Sequence, residues 1–199
     1  MTIVAVSLSI DDLDVIAPGA FAAAVAPLFE GARGFLGRLA MARPFGSVQA
    51  LFERAREIAH AMPLDEQLEL IDAHPRLGAA QTEVSALSFV EQGYGDAGAA
   101  KGAGADDAGA DADADSNATV EASAVSAELE RLNVAYETRF GFRYCVFVAG
   151  RSRAALLPAM TAALEADRAA EIHRALDAVI DIARDRYATL TAGTREGST

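Results

Sequence analysis

Residues 167 to 190 read DRAAEIHRALDAVIDIARDRYATL, and their periodicity decides the class of fold. Ile172, Leu176, Val179, Ile180, Ala183, Tyr187 and Leu190 recur at intervals of three and four. Over about six turns of 3.6 residues that spacing builds one apolar stripe with charge on the other faces, the signature of an amphipathic helix with one side buried. A strand would alternate every second residue, and this run does not.

The same rhythm runs back through the chain. In SVQALFERAREIAHAM (47–62), Ser47 is a candidate N-cap, and Val48, Leu51, Phe52, Ala55, Ile58 and Ala59 share a face. In PLDEQLELIDAH (63–74), Pro63 suits a helix start and Leu64, Leu68 and Ile71 form the stripe. From Leu8 to Leu39 the apolar positions Leu13, Ile16, Phe21, Val25, Leu28, Phe29, Phe35 and Leu39 are interrupted by Pro18 and by GARG at 31–34, which predicts short helices. One stretch departs from the pattern. FGFRYCVFVAG (140–150) is rich in aromatic and β-branched residues without helical period, and with no second strand to pair with it is expected to be an extended or tightly packed core segment. Residues 96–124 consist almost wholly of Ala, Asp, Gly and Ser, too few large apolar side chains to offset the entropy of ordering, and are expected to be a disordered insertion. The expectation is one all-α domain over 1–199, a bundle of about eight or nine helices carrying that insertion and the non-helical segment near 140–150.

Charge narrows the partners. A net charge of −12 over 199 residues argues against nucleic acid, which calls for a concentrated basic face. Lys101 is the only lysine, so other side-chain cations are arginine forks suited to carboxylates, apart from any protonated histidine. No apolar run approaches the ~20 residues of a membrane span, and the N-terminus lacks the basic start of a secretory signal. Cys145 has no disulfide partner in the chain, and it reads either as a buried small hydrophobe or as a nucleophile. A cytoplasmic, reducing setting follows as the expectation.

The residues that can carry chemistry are few. P-loop, dinucleotide-binding, H-E-x-x-H and C-x-x-C signatures are all missing, and three scattered histidines with one cysteine make a dedicated metal site improbable, so any reaction is expected to need neither metal nor nucleotide. His74 ends an apolar helix immediately before Pro75, which disfavours the α conformation for the residue preceding it and so aims the side chain. It is either a helix-end histidine favourable to the dipole or a general acid/base. His60 and His173 lie mid-helix and read as surface or boundary residues. Ser88 and Glu91 have capping-box spacing; alternatively Glu91 and Gln92 present a carboxylate and an amide to the pocket that His74 faces. Arg184 and Arg186 read as solvated, or Arg186, beside Tyr187, tucks its fork against a buried anion.

Taken in order, RPF (43–45), AHPRLG (73–78), S-x-x-E-Q (88–92), LNVAYETRFGF (132–142) and EIHRAL…DIARDR (171–186) resemble the 2-oxo-4-hydroxy-4-carboxy-5-ureidoimidazoline (OHCU) decarboxylases over nearly the whole chain. The resemblance implies an all-α, cofactor-independent carboxy-lyase of urate breakdown that converts a ureidoimidazoline to (S)-allantoin and CO2. By the same resemblance the catalytic histidine falls on His74, with Glu91 and Arg186 as its catalytic partners. Substrate contacts fall on Pro75, on Ser88, Phe89, Val90 and Gln92, and on Phe140, Gly141, Phe142, Arg143 and Tyr144. Where many members read FGFP, this chain has Arg143. A homodimer and a coupling to hydroxyisourate hydrolase are the associations to look for. The competing readings are an acid/base enzyme acting on another cyclic ureide and a non-catalytic helical module that binds proteins.

Overall fold

Cap chemistry and apolar stripes turn these segments into eight α-helices in the computed structural model, which describes residues 8–79, 85 and 112–196. They are α1 (Ile10–Val15), α2 (Pro18–Val25), a 3-10 turn at Ala26–Phe29, α3 (Arg33–Met41), α4 (Val48–Ala61), α5 (Leu64–Asp72), α6 (Ala112–Phe140), α7 (Arg153–Ala163) and α8 (Arg168–Glu196). No strand occurs among the described residues, and 141–152 is the irregular segment that the aromatic run predicts. No described helix is long and apolar enough to cross a membrane. The chain divides into two compact units: residues up to His74 with Cys145–Phe147 and α8, and Pro75–Tyr144 with Val148–Asp167. The disorder expected over 96–124 lies outside the described residues as far as 111; from Ala112 the chain is helix. Alanine is the strongest helix former and aspartate is favourable in a first turn, a local preference that composition alone does not weigh.

In the first unit α8 packs on α4, α5 and the 3-10 turn. Ile172, Leu176, Val179, Ile180, Ala183 and Tyr187 are buried as the stripe predicts. Replacing Leu176 by Ala would cost about 2–5 kcal/mol through lost contacts and the cavity left behind. Ser47 caps α4, its hydroxyl accepting the Ala50 N–H at 3.1 Å. Leu51, Phe52, Ala55 and Ala59 are buried beneath, whereas Val48 is exposed and Ile58 only half-buried. On α5 the buried face is Gln67, Leu70 and Ile71, and the expected Leu64 is exposed with Leu68 half-buried. The rotation has a polar cause. The Gln67 amide donates to the carbonyls of Ala59 (3.2 Å) and His60 (3.0 Å), satisfying the end of α4.

The RPF motif is structural. Arg43 donates to the carbonyls of Ala40 (2.8 Å), Leu13 (2.8 Å) and Ile16 (2.6 Å) and lies over the Phe21 ring, which closes the end of α1. The Asp14 carboxylate in turn accepts the N–H groups of Phe45 and Gly46 at 2.9 and 2.8 Å.

In the second unit Tyr136 of α6 sits among the rings of Phe140, Phe142 and Tyr144, with centroids 4.5, 5.6 and 5.0 Å away. Leu129, Leu132, Leu156 and Met160 complete a core between α6 and α7. The PRLG part of the histidine motif docks on α6 by four contacts. Arg76 pairs with Glu130 and Glu137 at 2.9 and 2.6 Å, Asn133 donates to the Leu77 carbonyl at 2.9 Å, and Gly78 lies against Leu129. Gly78 has φ +82°, and a Cβ there would come within 2.6 Å of a Leu129 methyl, so both backbone and space require glycine.

Candidate active site

Helix α5 stops at Asp72, and His74, just beyond it, is only 4% exposed. Its Nδ1 lies 3.2 Å from the Leu70 carbonyl, a group that can only accept, so Nδ1 carries the proton. In the neutral ring the basic lone pair then sits on Nε2. The pKa of this imidazole is lowered from 6.5 to about 4, chiefly because burial penalises the cation and then because the Arg186 charge opposes it; Glu30 and the Leu70 carbonyl act the other way. His74 is therefore a neutral base throughout the physiological range.

Arg186, from α8, is also buried, and its fork is held by the 3-10 turn. Nη2 pairs with Glu30 at 2.9 Å, while Nη1 donates to the carbonyls of Pro27 (3.0 Å) and Leu28 (3.5 Å). Glu30 closes that turn in the left-handed conformation at φ 49°, ψ 28°, its side chain 14% exposed. An L-residue with a side chain rarely takes this conformation, and the glycine that follows, Gly31 at φ 76°, continues it. Arg186 and Glu30 thus make an ion pair, buried on the arginine side, whose two charges act in opposite directions on the buried His74 imidazole, so that a base, an acid and a cation make one electrostatic group.

Of the residues expected from sequence, the structure brings His74 and Arg186 into this group. The anion against which Arg186 tucks is the protein's own Glu30. Glu30 has no counterpart in the sequence reading, where an acid between an apolar run and a glycine is its only local signal. The side chains of Phe140, Phe142 and Tyr144 fill the core of the second unit. Gly141, at φ 77°, ends α6, its N–H bonding the Glu137 carbonyl at 2.9 Å. Arg143 is exposed and, with Pro75, Arg76, Leu77 and Glu130, lines a cleft of about 440 Å³ in that unit. Ser88, Phe89, Val90, Glu91 and Gln92 lie outside the described residues. Arg184 is exposed with its guanidinium over the Phe52 ring, and Cys145 is buried, its carbonyl accepting from Arg174 at 2.9 Å.

The sequence profile of the OHCU decarboxylase family matches residues 15–108 and 97–188. The uric acid degradation bifunctional protein PucL of Bacillus subtilis is 28% identical over 191 residues, 96% of this chain but 34% of its own length, so this chain spans about a third of that relative. The 2-oxo-4-hydroxy-4-carboxy-5-ureidoimidazoline decarboxylase of Haloferax volcanii is 28% identical over 185 residues, 91% of this chain and 95% of its own. Two crystal structures share the fold. An OHCU decarboxylase in the presence of (S)-allantoin aligns with a TM-score of 0.57 at 21% identity over 84% of this chain and 96% of its own, and an (S)-allantoin synthase with 0.59 at 17% identity over 92% and 54%.

Proposed function

The chain belongs to the OHCU decarboxylase family, and we propose that it decarboxylates 2-oxo-4-hydroxy-4-carboxy-5-ureidoimidazoline to (S)-allantoin and CO2 as a step of urate degradation, with His74 as its acid/base group. The observation that carries this reading is the buried, neutral His74 with its lone pair on Nε2.

The substrate bears a carboxylate and a hydroxyl on one ring carbon, adjacent to a C=N bond. When the bond to the carboxylate breaks, its electron pair moves between the two ring carbons, and the C=N pair moves onto nitrogen, which takes a proton. The resulting enol gives up its hydroxyl proton and receives one at the neighbouring carbon. The ring is its own electron sink, so the chain needs to supply only orientation and proton transfer, and no cofactor. In this scheme Nε2 of His74 takes the hydroxyl proton, and delivery of the new C–H proton from one face gives the S product. Glu91 holds the imidazole or a ring N–H, and Gln92 with Ser88, Phe89 and Val90 binds the ureido and ring amides. Pro75 and the backbone of Phe140, Gly141, Phe142, Arg143 and Tyr144 complete the substrate contacts. Arg186, committed to Glu30 and to backbone carbonyls, serves as a positioning residue in place of the direct anion grip expected from sequence.

A functional coupling to hydroxyisourate hydrolase is part of this reading. A homodimer and a cytoplasmic setting belong to the same proposal. The test is to generate the unstable substrate in situ from urate and to follow the circular dichroism of allantoin. The wild type should accelerate appearance of the S signal and His74→Ala should not; equal, slow, racemic decay in both would overturn the assignment.

A further inference from the structure

From the cleft that follows His74 along the chain we infer that the Arg143 side chain is a specificity-determining residue, its guanidinium taking the substrate's carboxylate in the ground state. The inference rests on the proposed decarboxylation and deepens it, because Arg186 is committed to Glu30 and to backbone carbonyls and the carboxylate needs another cation.

The cleft has a fixed wall and a cation beside it. Residues 75–79, which begin at the residue bonded to His74, form the wall, Glu130 of α6 and Arg143 complete the lining, and the volume of about 440 Å³ suits a small molecule. The wall is pinned from behind. Asn133, only 1% exposed, donates to the Leu77 carbonyl at 2.9 Å, and Gly78 at φ +82° lies so close to Leu129 that a Cβ would come within 2.6 Å. A wall held in this way keeps its shape before a ligand arrives, which spares the ordering cost of binding. The lining carries three charged side chains, and two of them are arginines. Arg76 is the structural one. Its Nη1 donates to both Glu130 oxygens at 2.9 Å, which neutralises the carboxylate in the lining, and its Nε donates to Glu137 at 2.6 Å. Arg143 is the second cation, exposed, in the irregular segment after α6. Its neighbours Phe142 and Tyr144 are buried, so the backbone that carries the guanidinium is anchored on both sides. A planar guanidinium offers two parallel N–H donors that match the two oxygens of a carboxylate. The substrate's negative charge is present before the reaction and passes into the ring as CO2 leaves, so a cation on the carboxylate favours the bound substrate at least as much as the transition state. Arg143 therefore selects a carboxylated ureide over a neutral one, and does not speed the chemical step.

The test is Arg143→Gln, which removes the charge at an exposed position where folding tolerates the change. With substrate generated in situ from urate, KM should rise about tenfold while kcat stays within about threefold, the pattern of lost ground-state binding. Arg143→Lys, which keeps the charge and loses the fork, should recover part of the KM. Calorimetry supplies a second readout with two stable cyclic ureides, hydantoin-5-acetate and (S)-allantoin, of which only the first carries a carboxylate. Arg143→Gln should weaken hydantoin-5-acetate about tenfold and (S)-allantoin by less than about twofold. A merely structural role would weaken both probes alike and would not be rescued by lysine. An unmoved KM, whether or not kcat falls, or an equal loss of both probes overturns the inference. If the wild type proves inactive on this substrate, the proposed function fails, and the calorimetry alone decides: a carboxylate-selective loss in Arg143→Gln supports the role of Arg143, and any other result overturns it.

Discussion

The first unit contains two clusters built from the same ingredients, a histidine, a carboxylate and an arginine. In one, His74 and Arg186 are buried and the Glu30 side chain is 14% exposed; in the other, His60, Asp177 and Arg56 meet on the flank of α4 and α8, with side chains 29%, 43% and 35% exposed. In the exposed cluster His60 reaches Asp177 directly at 2.9 Å, Arg56 bridges Asp177 and Asp181, and the His60 ring leans on His173 at 4.8 Å. Partial burial pushes the Asp177 carboxyl up, and hydrogen bonds from His60 and Arg56 more than offset it, so its pKa is lowered. The open cluster has tight contacts but water beside every charge. In the closed one, burial moves an imidazole to about 4 and makes the loss of any one charge expensive. Contact geometry therefore does not separate the two clusters, and exclusion of water does.

The comparison can be broken most directly by activity. Removing a general acid/base group lowers rate by roughly 10²–10⁴-fold, so His74→Ala should lose that much kcat/KM in the allantoin dichroism assay, whereas His60→Ala should stay within about twofold. Comparable losses in both would mean the open cluster is functional. Stability should separate the clusters next. Arg186→Met removes the buried cation that pairs with Glu30 and should cost about 3–5 kcal/mol in urea unfolding, against under about 1 kcal/mol for Arg56→Gln.

The pH dependence follows from the same shift. The folded His74 titrates near 4 and the unfolded one near 6.5, so as pH falls through 6.5 the unfolded chain takes up the proton first. The stability contributed by the neutral imidazole is complete above pH 6.5 and is lost between 6.5 and 4, about 3 kcal/mol for a shift of that size. Unfolding curves of wild type and His74→Asn should differ in slope across that window. The acid limb of kcat/KM should likewise lie near pH 4, below the ordinary histidine value. The smallest effect is that of salt. Raising ionic strength from about 0.1 to 1 M should abolish the measurable cost of Arg56→Gln and leave that of Arg186→Met nearly unchanged, because screening reaches exposed charges only.

Much of this was legible in the sequence where the cause is local. Stripes at intervals of three and four placed α4 and α8, Pro18 and GARG cut the first third into short helices, and Pro75 after an apolar run singled out His74. The exceptions share one cause. Gln67 turns inward because the end of α4 offers it two carbonyls, and RPF and PRLG turn out to be structural joints because Leu13, Ile16 and α6 lie opposite them. The partners of RPF and PRLG lie 27 or more residues away, and Gln67 reaches across a helix boundary to carbonyls eight and seven residues back.

What the sequence by itself determined is the all-α class, the positions of most helices and the family, since helix periodicity, caps and short motifs depend on residues within a turn or two of each other. What only the tertiary structure decided is the company His74 keeps. Glu30 and Arg186 stand near opposite ends of the chain, and their pairing beside the histidine exists only once α5, α8 and the 3-10 turn have packed and expelled water. Two histidines on neighbouring helices look alike as letters. Burial, a property of the packed whole, is what makes the His74 imidazole neutral and leaves His60 part-exposed beside Asp177 and Arg56.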